Sequence, residues 1–159
     1  MALFLATFIN KLDKKGRTSV PATFRTSLQT DSLVNASSFV AFRSYKHEAV
    51  ECCSLQRMQQ ISSSVDQMDL FSDAQDDLTA AIFADAQQLM IDGDGRVTLP
   101  RDLIEFAGIT EEVAFIGRGA TFQIWNPSTF KVHQENARKR IQERQLSIKL
   151  TNSPEGGAA

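Results

Sequence analysis

Short runs of alternating apolar and polar residues, separated by turn residues, open the chain. "ATFINKL" (residues 6–12) alternates as a strand does, "DKKG" has the residues of a turn, and "RTSV" reads as the returning strand. Pro21 then opens a short helix, "PATFRTSL", because a proline at the first helical position gives up no hydrogen bond. The pattern predicts a unit of strand, turn, strand and helix.

The same order returns 79 residues later along the chain. "AQQLMI", "DGDG", "RVTL" and "PRDLIEFAG" repeat the unit, and Gly108 is placed to end the second helix. Both units continue into strands that contain the tripeptide VAF: "FVAFRS" with "AVECC", and "EVAFIGRG" with "ATFQIW". An internal repeat of roughly 45 residues indicates two copies of one supersecondary unit, neither of which can bury its apolar face alone.

Between and after the two units, apolar residues recur at helical spacing. "SLQRMQQISSSVDQM" predicts one helix, and "SDAQDDLTAAIFADA" predicts another that begins with a capping box of Ser72 and Gln75. A last helix is predicted to start with Asn126 as its cap and Pro127 in its first position. The predicted buried positions are Leu55, Met58, Ile61, Val65 and Met68 in the first of these helices and Phe130, Ala137 and Ile141 in the last.

These patterns divide the chain into five parts. The predicted bounds are 7–54 for the first repeat, 55–82 for a helical connector, 83–126 for the second repeat, 127–150 for the C-terminal helix and 151–159 for a tail. The tail, "TNSPEGGAA", has nothing to pack, and we expect it to be disordered.

Length and cysteine content place the chain among ordinary intracellular proteins. Its 159 residues fit one compact domain or two very small ones. The neighbours Cys52 and Cys53 cannot form a disulfide framework, so we expect a reducing compartment. The opening "MALFLATFI" follows no basic residue and precedes no cleavage site, and we interpret it as a strand instead of a signal peptide. A cytoplasmic location is therefore expected.

Charge is distributed unevenly along the chain, although the net charge is only −2. Residues 58–95 contain eight aspartates and neither lysine nor arginine, so the other residues hold all 17 basic side chains and 11 of the 19 acidic ones. Such patterning allows one basic face on an acidic protein. It is equally consistent with a set of solvated helix faces.

In both turns an aspartate leads and a glycine closes. Asp13 with Gly16, and Asp92 with Gly95, match a type I turn that ends in a residue with positive φ, where the carboxylate accepts backbone N–H groups. We therefore assign these four residues to the structure of the turns.

An arginine follows the glycine in each turn. Arg17 and Arg96 stand at the bases of the turns, where their side chains can project beside the tip or fold back onto the aspartate. A single D-x-x-G-R is typical of a salt-bridged turn. Two copies, each followed by a proline and a short helix, call for a functional explanation.

The doubled motif D-x-x-G-R-x-x-x-P, in a chain of this length, resembles the MraZ family of bacterial transcription regulators. The resemblance runs from about residue 3 to residue 145 and includes "FADAQ" before the second turn, "EFAGI" after it and "FQIW" at the end of the second unit. It implies an α+β fold in which two SpoVT-AbrB units interleave their swapped hairpins into one pseudo-twofold β-barrel with peripheral helices.

The resemblance also implies assembly and function. Members of the family form rings, often octamers or dodecamers, and repress the division and cell-wall gene cluster, including their own gene. It thus predicts double-stranded DNA and other copies of the chain as partners, a nucleoid-associated location, no cofactor and no enzymatic activity. A ring that presents identical turns side by side favours short direct repeats in the DNA, since linked copies engage adjacent sites at high effective concentration.

The charge of the two turns differs. The first turn places four cations against one aspartate, for a net charge of +3, whereas the second places one arginine against two aspartates, for a net charge of −1. We therefore expect the first turn to be the stronger DNA contact. Its four cations are Lys11, Lys14, Lys15 and Arg17.

These cations suit different parts of DNA. Arg17 is the candidate for a base-edge contact, because an arginine can bind guanine with two hydrogen bonds. Lys14 and Lys15 are expected on phosphates, which position a protein without reading sequence. The family motif marks Arg96 as well, but its charge balance indicates a contact with its own aspartates or a weak phosphate contact.

No other motif in the sequence supports a different chemistry. "DGDGR" lacks the later carboxylates of a calcium loop, and His47 and His133, taken as isolated surface residues, match no zinc spacing. The basic run "NARKRIQERQ" is interpreted as a solvated helix face in preference to a second DNA-binding arm.

Two alternatives from other functional classes use the same fold. An antitoxin or protein-interaction module would usually carry one hairpin and a long capture tail, whereas this chain has two hairpins and nine residues of tail. A barrel decarboxylase would need a self-cleaving Gly-Ser pair, which the sequence lacks.

Overall fold

The computed structural model describes residues 2–30 and 37–151, which form a mixed α+β fold. The strands are β1 (Thr7–Lys11), β2 (Arg17–Ser19), β3 (Ser38–Arg43), β4 (Val50–Cys53), β5 (Gln87–Met90), β6 (Arg96–Thr98), β7 (Glu112–Gly117) and β8 (Phe122–Trp125). The helices are α1 (Ala22–Thr30), α2 (Leu55–Asp66), α3 (Asp73–Leu78), which continues into a π-helical turn (Thr79–Phe83), α4 (Arg101–Phe106) and α5 (Pro127–Arg144). Apart from Thr151, the predicted tail lies outside the described residues.

Two antiparallel sheets connect the repeats. A six-stranded sheet has the order β1-β7-β8-β4-β3-β5, and β2 pairs with β6 in a separate two-stranded sheet. Exchanging the two repeats, β1 with β5, β3 with β7 and β4 with β8, gives the same order read in the opposite direction. Each repeat therefore pairs its first strand with the other repeat, β1 with β7 and β5 with β3.

The shared tripeptide VAF does not mark equivalent positions. Lys11 and Met90 are equivalent residues of the two repeats. Lys11 pairs with Glu112 and Met90 pairs with Ser38, so Ser38 and Glu112 are equivalent positions in β3 and β7 and lie 74 residues apart. This separation is one residue longer than that between the two VAF tripeptides. Val113 consequently faces the main core, whereas the Val40 side chain packs on the opposite face of the sheet. A shift of one residue reverses the face that every side chain occupies.

Aromatic residues fill the main core between the six-stranded sheet and helices α1 and α4. The Phe24 and Phe122 rings lie 5.0 Å apart, as do those of Phe4 and Phe122, and all three side chains are fully buried. Burial of one such side chain contributes about 1.5–3 kcal/mol. Phe4 belongs to the segment interpreted as a strand, but regular pairing begins only at Thr7, after Ala6 with φ +74°.

Both cysteines are buried, on opposite faces of the sheet. Cys52 belongs to the main core and Cys53 to a second cluster beneath α2, where Met58 packs. Cys53 is buried on the outer face of the sheet because α2 covers that face. Burial raises the pKa of the Cys53 thiol to about 11 and raises that of Cys52 well above its ordinary value.

Both helix N-caps are confirmed, although the Gln75 side chain accepts from Phe71 N instead of from Ser72 N as a capping box requires. Two of the predicted apolar stripes are corrected. Ser72 accepts a hydrogen bond from Gln75 N at 3.2 Å, and Asn126 accepts one from Ser128 N at 2.9 Å. However, Leu55 is half exposed at the start of α2, and Ile141 is 49% exposed in the second half of α5. The partly buried apolar residues of α5 end at Ala137, after Phe130, and the apolar positions beyond it have no surface to cover.

Candidate nucleic-acid interface

The first turn is organised around the Asp13 carboxylate. Its Oδ1 accepts hydrogen bonds from the backbone N–H groups of Lys15 at 2.9 Å and Arg17 at 2.8 Å. Its Oδ2 accepts a third from Arg17 Nε at 2.8 Å, and Gly16 closes the turn with φ +80°. The backbone hydrogen bond from Arg17 is the largest cause that lowers the pKa of Asp13. Asp13 therefore holds both the backbone of the turn and the arginine side chain.

The second turn has the same backbone arrangement with a looser arginine. Asp92 Oδ1 accepts from the N–H groups of Asp94 at 2.9 Å and Arg96 at 3.0 Å, and Gly95 has φ +78°. The Arg96 guanidinium lies 3.4 Å from Asp94 Oδ2 and 3.8 Å from Asp92 Oδ2. Arg96 thus lies against its own aspartates, as its charge balance indicated, but Arg17 is held more tightly. The charge count indicated such a contact only for Arg96, whereas the structure shows a closer one for Arg17.

The β2–β6 sheet joins the two turns. Thr18 pairs with Val97 at its centre, and each end is extended by one hydrogen bond to the glycine of the opposite turn. Leu99 N donates to Gly16 O at 2.8 Å, and Val20 N donates to Gly95 O at 2.9 Å. Because the strands are antiparallel and three residues long, the turns lie at opposite ends of a ladder about 10 Å in length.

Arg25, on α1 of the first repeat, lies against the turn of the second. Its guanidinium carbon is 2.8 Å from the position that a Cβ atom would take at Gly95, and its Nε donates to Val20 O at 3.2 Å. The equivalent residue of the second repeat, 79 positions later, is Ile104, whose Cδ1 lies 3.4 Å from the same position at Gly16. The sequence analysis did not identify Arg25 as a residue that contacts a turn, although the 79-residue spacing of the repeats aligns it with Ile104 and could have pointed to it.

Arg25 changes the electrostatic comparison of the turns. The second turn now places two arginines, Arg25 and Arg96, against Asp92 and Asp94, and its local charge is balanced instead of negative. The first turn keeps its excess of positive charge, with Lys11, Lys14 and Lys15 exposed. Lys14 and Lys15 lie on the tip, whereas Lys11 lies on β1 opposite Glu112.

Close relatives of the chain share one name. It is 37% identical over 153 residues to the "Transcriptional regulator MraZ" of Rickettsia bellii, covering 96% of this chain and all of that protein. It is 39% identical over 158 residues to the protein of the same name from Gluconacetobacter diazotrophicus, covering 99% of each chain. The chain belongs to the MraZ family. The sequence profile of the family, described as "MraZ protein, putative antitoxin-like", matches residues 82–148.

One motif that supports the MraZ resemblance, "FADAQ", contains a residue of an ion pair that joins the two repeats. Asp85, in "FADAQ", accepts hydrogen bonds from Arg43 N at 2.8 Å, Arg43 Nε at 3.0 Å and Arg43 Nη2 at 2.6 Å. The side-chain bond from Arg43 is the largest cause that lowers the pKa of Asp85. This ion pair ties the end of β3, in the first repeat, to the segment that leads into β5 of the second.

The two histidines of this MraZ-family chain are not isolated, in contrast to the sequence interpretation. The His47 and His133 rings lie 4.7 Å apart, and both contact Trp125, which stacks on His133 at 4.9 Å. Burial is the largest cause that lowers the pKa of His133, followed by the charge of His47. The cluster secures the first half of α5 to the sheet.

Residues 2–30 and 37–151 offer neither a metal site nor a membrane span. No group of three or more His, Cys, Asp or Glu side chains there is arranged to hold a metal ion. No helix in these ranges is both long and apolar enough to cross a membrane.

Proposed function

We propose that the protein is a sequence-specific DNA-binding transcriptional regulator that represses its own gene and the division and cell-wall gene cluster. The observation that carries the proposal is the β2–β6 ladder, which holds two D-x-x-G-R turns in one rigid element. The names of the relatives support regulation of transcription as the process.

The dimensions of the ladder suit the major groove of DNA. That groove is about 12 Å wide and admits a two-stranded β-ribbon. Arg17 reads a guanine through its Nη groups, while its Nε keeps the hydrogen bond to Asp13, so the side chain is oriented before DNA arrives. Lys14 and Lys15 bind phosphates, with Lys11 beside them.

The second turn has a supporting role in this proposal. Arg96 and Arg25 bind the phosphate backbone more weakly than the first turn does, because Asp92 and Asp94 offset their charge. Asp13, Gly16, Asp92 and Gly95 keep the turns in shape.

The complete architecture in this proposal is the interleaved barrel of two AbrB-like repeats. The repeats span residues 7–54 and 83–126, with 55–82 as connector, 127–150 as C-terminal helix and 151–159 as tail. The exchange of first strands between the repeats supports the interleaving. The β2–β6 ladder would close the barrel between β1 and β5, which lead into it.

Assembly into a ring supplies the affinity that one protomer lacks. Few phosphate contacts give weak, salt-sensitive binding, and linked copies raise the effective concentration at neighbouring sites. We therefore propose an octamer or dodecamer that binds short direct repeats upstream of its own gene, in the cytoplasm and in association with the nucleoid.

A protein-interaction module related to antitoxins is the second candidate. The words "antitoxin-like" in the description of the family profile favour it. In that function the turns would hold a protein partner, and specific DNA binding would be absent. The following experiment distinguishes the two functions.

The test is a gel-shift titration, with a footprint, on the DNA upstream of this protein's own gene. Wild-type protein is expected to protect short direct repeats, and Arg17→Ala to lose that protection while keeping the circular dichroism spectrum of the folded protein. Arg138→Ala, which removes the same charge from an exposed position of α5, is expected to bind like wild type. Absence of specific binding by assembled wild-type protein at low salt would reject the proposal.

A further inference from the structure

An exposed apolar pair lies in the middle of the acidic segment, between α2 and α3. Leu70 is 69% exposed and Phe71 96% exposed, and Phe71 has φ +63°, a conformation that bulky residues rarely adopt. Gln75 stabilises it, since its Oε1 accepts the Phe71 N–H at 3.2 Å. Three exposed aspartates flank the pair, and residues 66–73 are named here the acidic knob. The aspartates are Asp66, Asp69 and Asp73.

A cavity of about 480 Å³ lies near the other end of α2, between β4 and the segments that follow β3 and β7. Its floor is apolar, with Phe42, Ile61 and Ile82, and the basic residues Lys46, Arg57 and Arg118 line it. We name it the cationic pocket.

The acidic lining residue of the cationic pocket does not neutralise its three basic residues. Glu51, an acidic residue of its lining, already accepts a hydrogen bond from Gln123 Nε2 at 2.8 Å and lies 3.7 Å from Arg118. Arg57 Nε is buried and has no hydrogen-bond partner in the part of the chain that the structure describes.

We propose that the acidic knob of one copy inserts into the cationic pocket of a second copy. Phe71 would contact the apolar residues of the pocket, and the aspartates of the knob would face Lys46, Arg57 and Arg118. The Phe71 side chain is 96% exposed and so is available for contact with another copy, and the sign of the charge on the two surfaces is complementary. This interface rests on the assembly part of the proposed function.

The two surfaces lie at opposite ends of α2, a helix about 18 Å long. A contact between different surfaces of identical subunits leaves one knob and one pocket unused in every pair, so further copies can add, and they form a ring when the rotation between neighbours closes. This interface would explain the acidic middle of the sequence, because the acidic knob lies there and contacts the basic residues of the cationic pocket.

Light-scattering mass measurements on single variants and on their mixture test the interface. Phe71→Ala and Arg57→Glu are each expected to fall from the wild-type assembly to the 17.6 kDa protomer, whereas Phe71→Leu keeps the assembly. A one-to-one mixture of Phe71→Ala with Arg57→Glu is expected to give a dimer and nothing larger. In that dimer the intact knob of the second variant occupies the intact pocket of the first.

The possible failures are distinguishable. If wild type assembles and Phe71→Ala keeps the same mass, or if the mixture forms no dimer, this interface is wrong and the proposed DNA binding is unaffected. If wild type itself is a protomer, both the interface and the proposed ring are wrong. Circular dichroism of each variant checks that a decrease in mass does not come from unfolding.

Discussion

The guanidinium carbon of Arg25 lies 2.8 Å from the position that a Cβ atom would occupy at Gly95. A helix residue of the first repeat therefore covers the turn of the second. The positive φ of Gly95 favours glycine there, and a Cβ atom would also force the Arg25 guanidinium to move. At the equivalent Gly16 the closest neighbours, Leu99 O and Ile104 Cδ1, lie at 3.2 and 3.4 Å. The second turn is thus more tightly enclosed than the first.

Gly95→Ala is expected to destabilise the protein more than alanine at Gly93 or Gly108. Alanine at φ +78° costs about 1–2 kcal/mol, and displacing Arg25 adds to this destabilisation. Gly108→Ala has only the cost of a positive φ, since no atom lies within 4 Å of the added Cβ. Gly93→Ala has neither the cost of a positive φ nor that of a close contact. Urea unfolding should rank the destabilisation, from smallest to largest, as Gly93→Ala, then Gly108→Ala, then Gly95→Ala. Equal values for Gly95→Ala and Gly108→Ala would show that the proximity of Arg25 is unimportant.

Asp13→Asn tests whether Asp13 orients the Arg17 side chain, because this substitution can preserve the shape of the first turn. An asparagine oxygen can still accept from the Lys15 and Arg17 N–H groups, but its amide nitrogen cannot accept from Arg17 Nε. We expect a fold like wild type and a decrease in DNA affinity smaller than that of Arg17→Ala. For Arg17→Ala, removal of a base contact of about 1–3 kcal/mol gives a roughly 5- to 140-fold decrease.

The measurement for Asp13→Asn is a gel-shift titration with specific and scrambled duplexes. An affinity equal to that of wild type for the specific duplex would mean that the ion pair of Asp13 and Arg17 does not orient the arginine for DNA.

Lys14→Ala is expected to weaken binding to specific and scrambled DNA alike. A lysine on a phosphate releases counterions, so its removal reduces the slope of log affinity against log salt by about one for each phosphate that is no longer neutralised. Fluorescence anisotropy at several salt concentrations measures this slope. Arg138→Ala serves as the control, and an unchanged slope for Lys14→Ala would remove Lys14 from the interface.

The docking of α5 is expected to depend on pH through His133. Its folded pKa is depressed, mainly by burial and then by the charges of His47, Arg140 and Arg118, so the unfolded state binds the proton more readily. The stabilisation is therefore complete above the ordinary pKa of about 6.5 and is lost as pH falls from that value through the lower folded pKa.

Fluorescence of Trp125, the single tryptophan, measures this change because its ring stacks on His133. We expect a transition with a midpoint below 6.5 in wild type and none in His133→Phe. A transition that persists in His133→Phe would assign it to another group, such as His47.

The local features of the two repeats could be predicted from the sequence because they depend on residues close in the chain. Asp13 binds groups two and four residues later, and Asp92 does the same. The caps of α3 and α5 likewise involve residues two or three positions apart. Such hydrogen bonds form within one turn of chain, so motif spacing is sufficient to identify them.

Tertiary structure alone decided how the repeats meet. The pairing of β1 with β7, the opposite faces of Val40 and Val113, and the contact of His47 with His133 all join or compare residues far apart in the chain. Several pairing registers and partners are compatible with one apolar pattern, and the choice depends on which surfaces can be buried together. For that reason the sequence determined two Asp-Gly turns with their arginines, and only the folded chain placed Arg25 on Gly95 and joined both turns in one ladder.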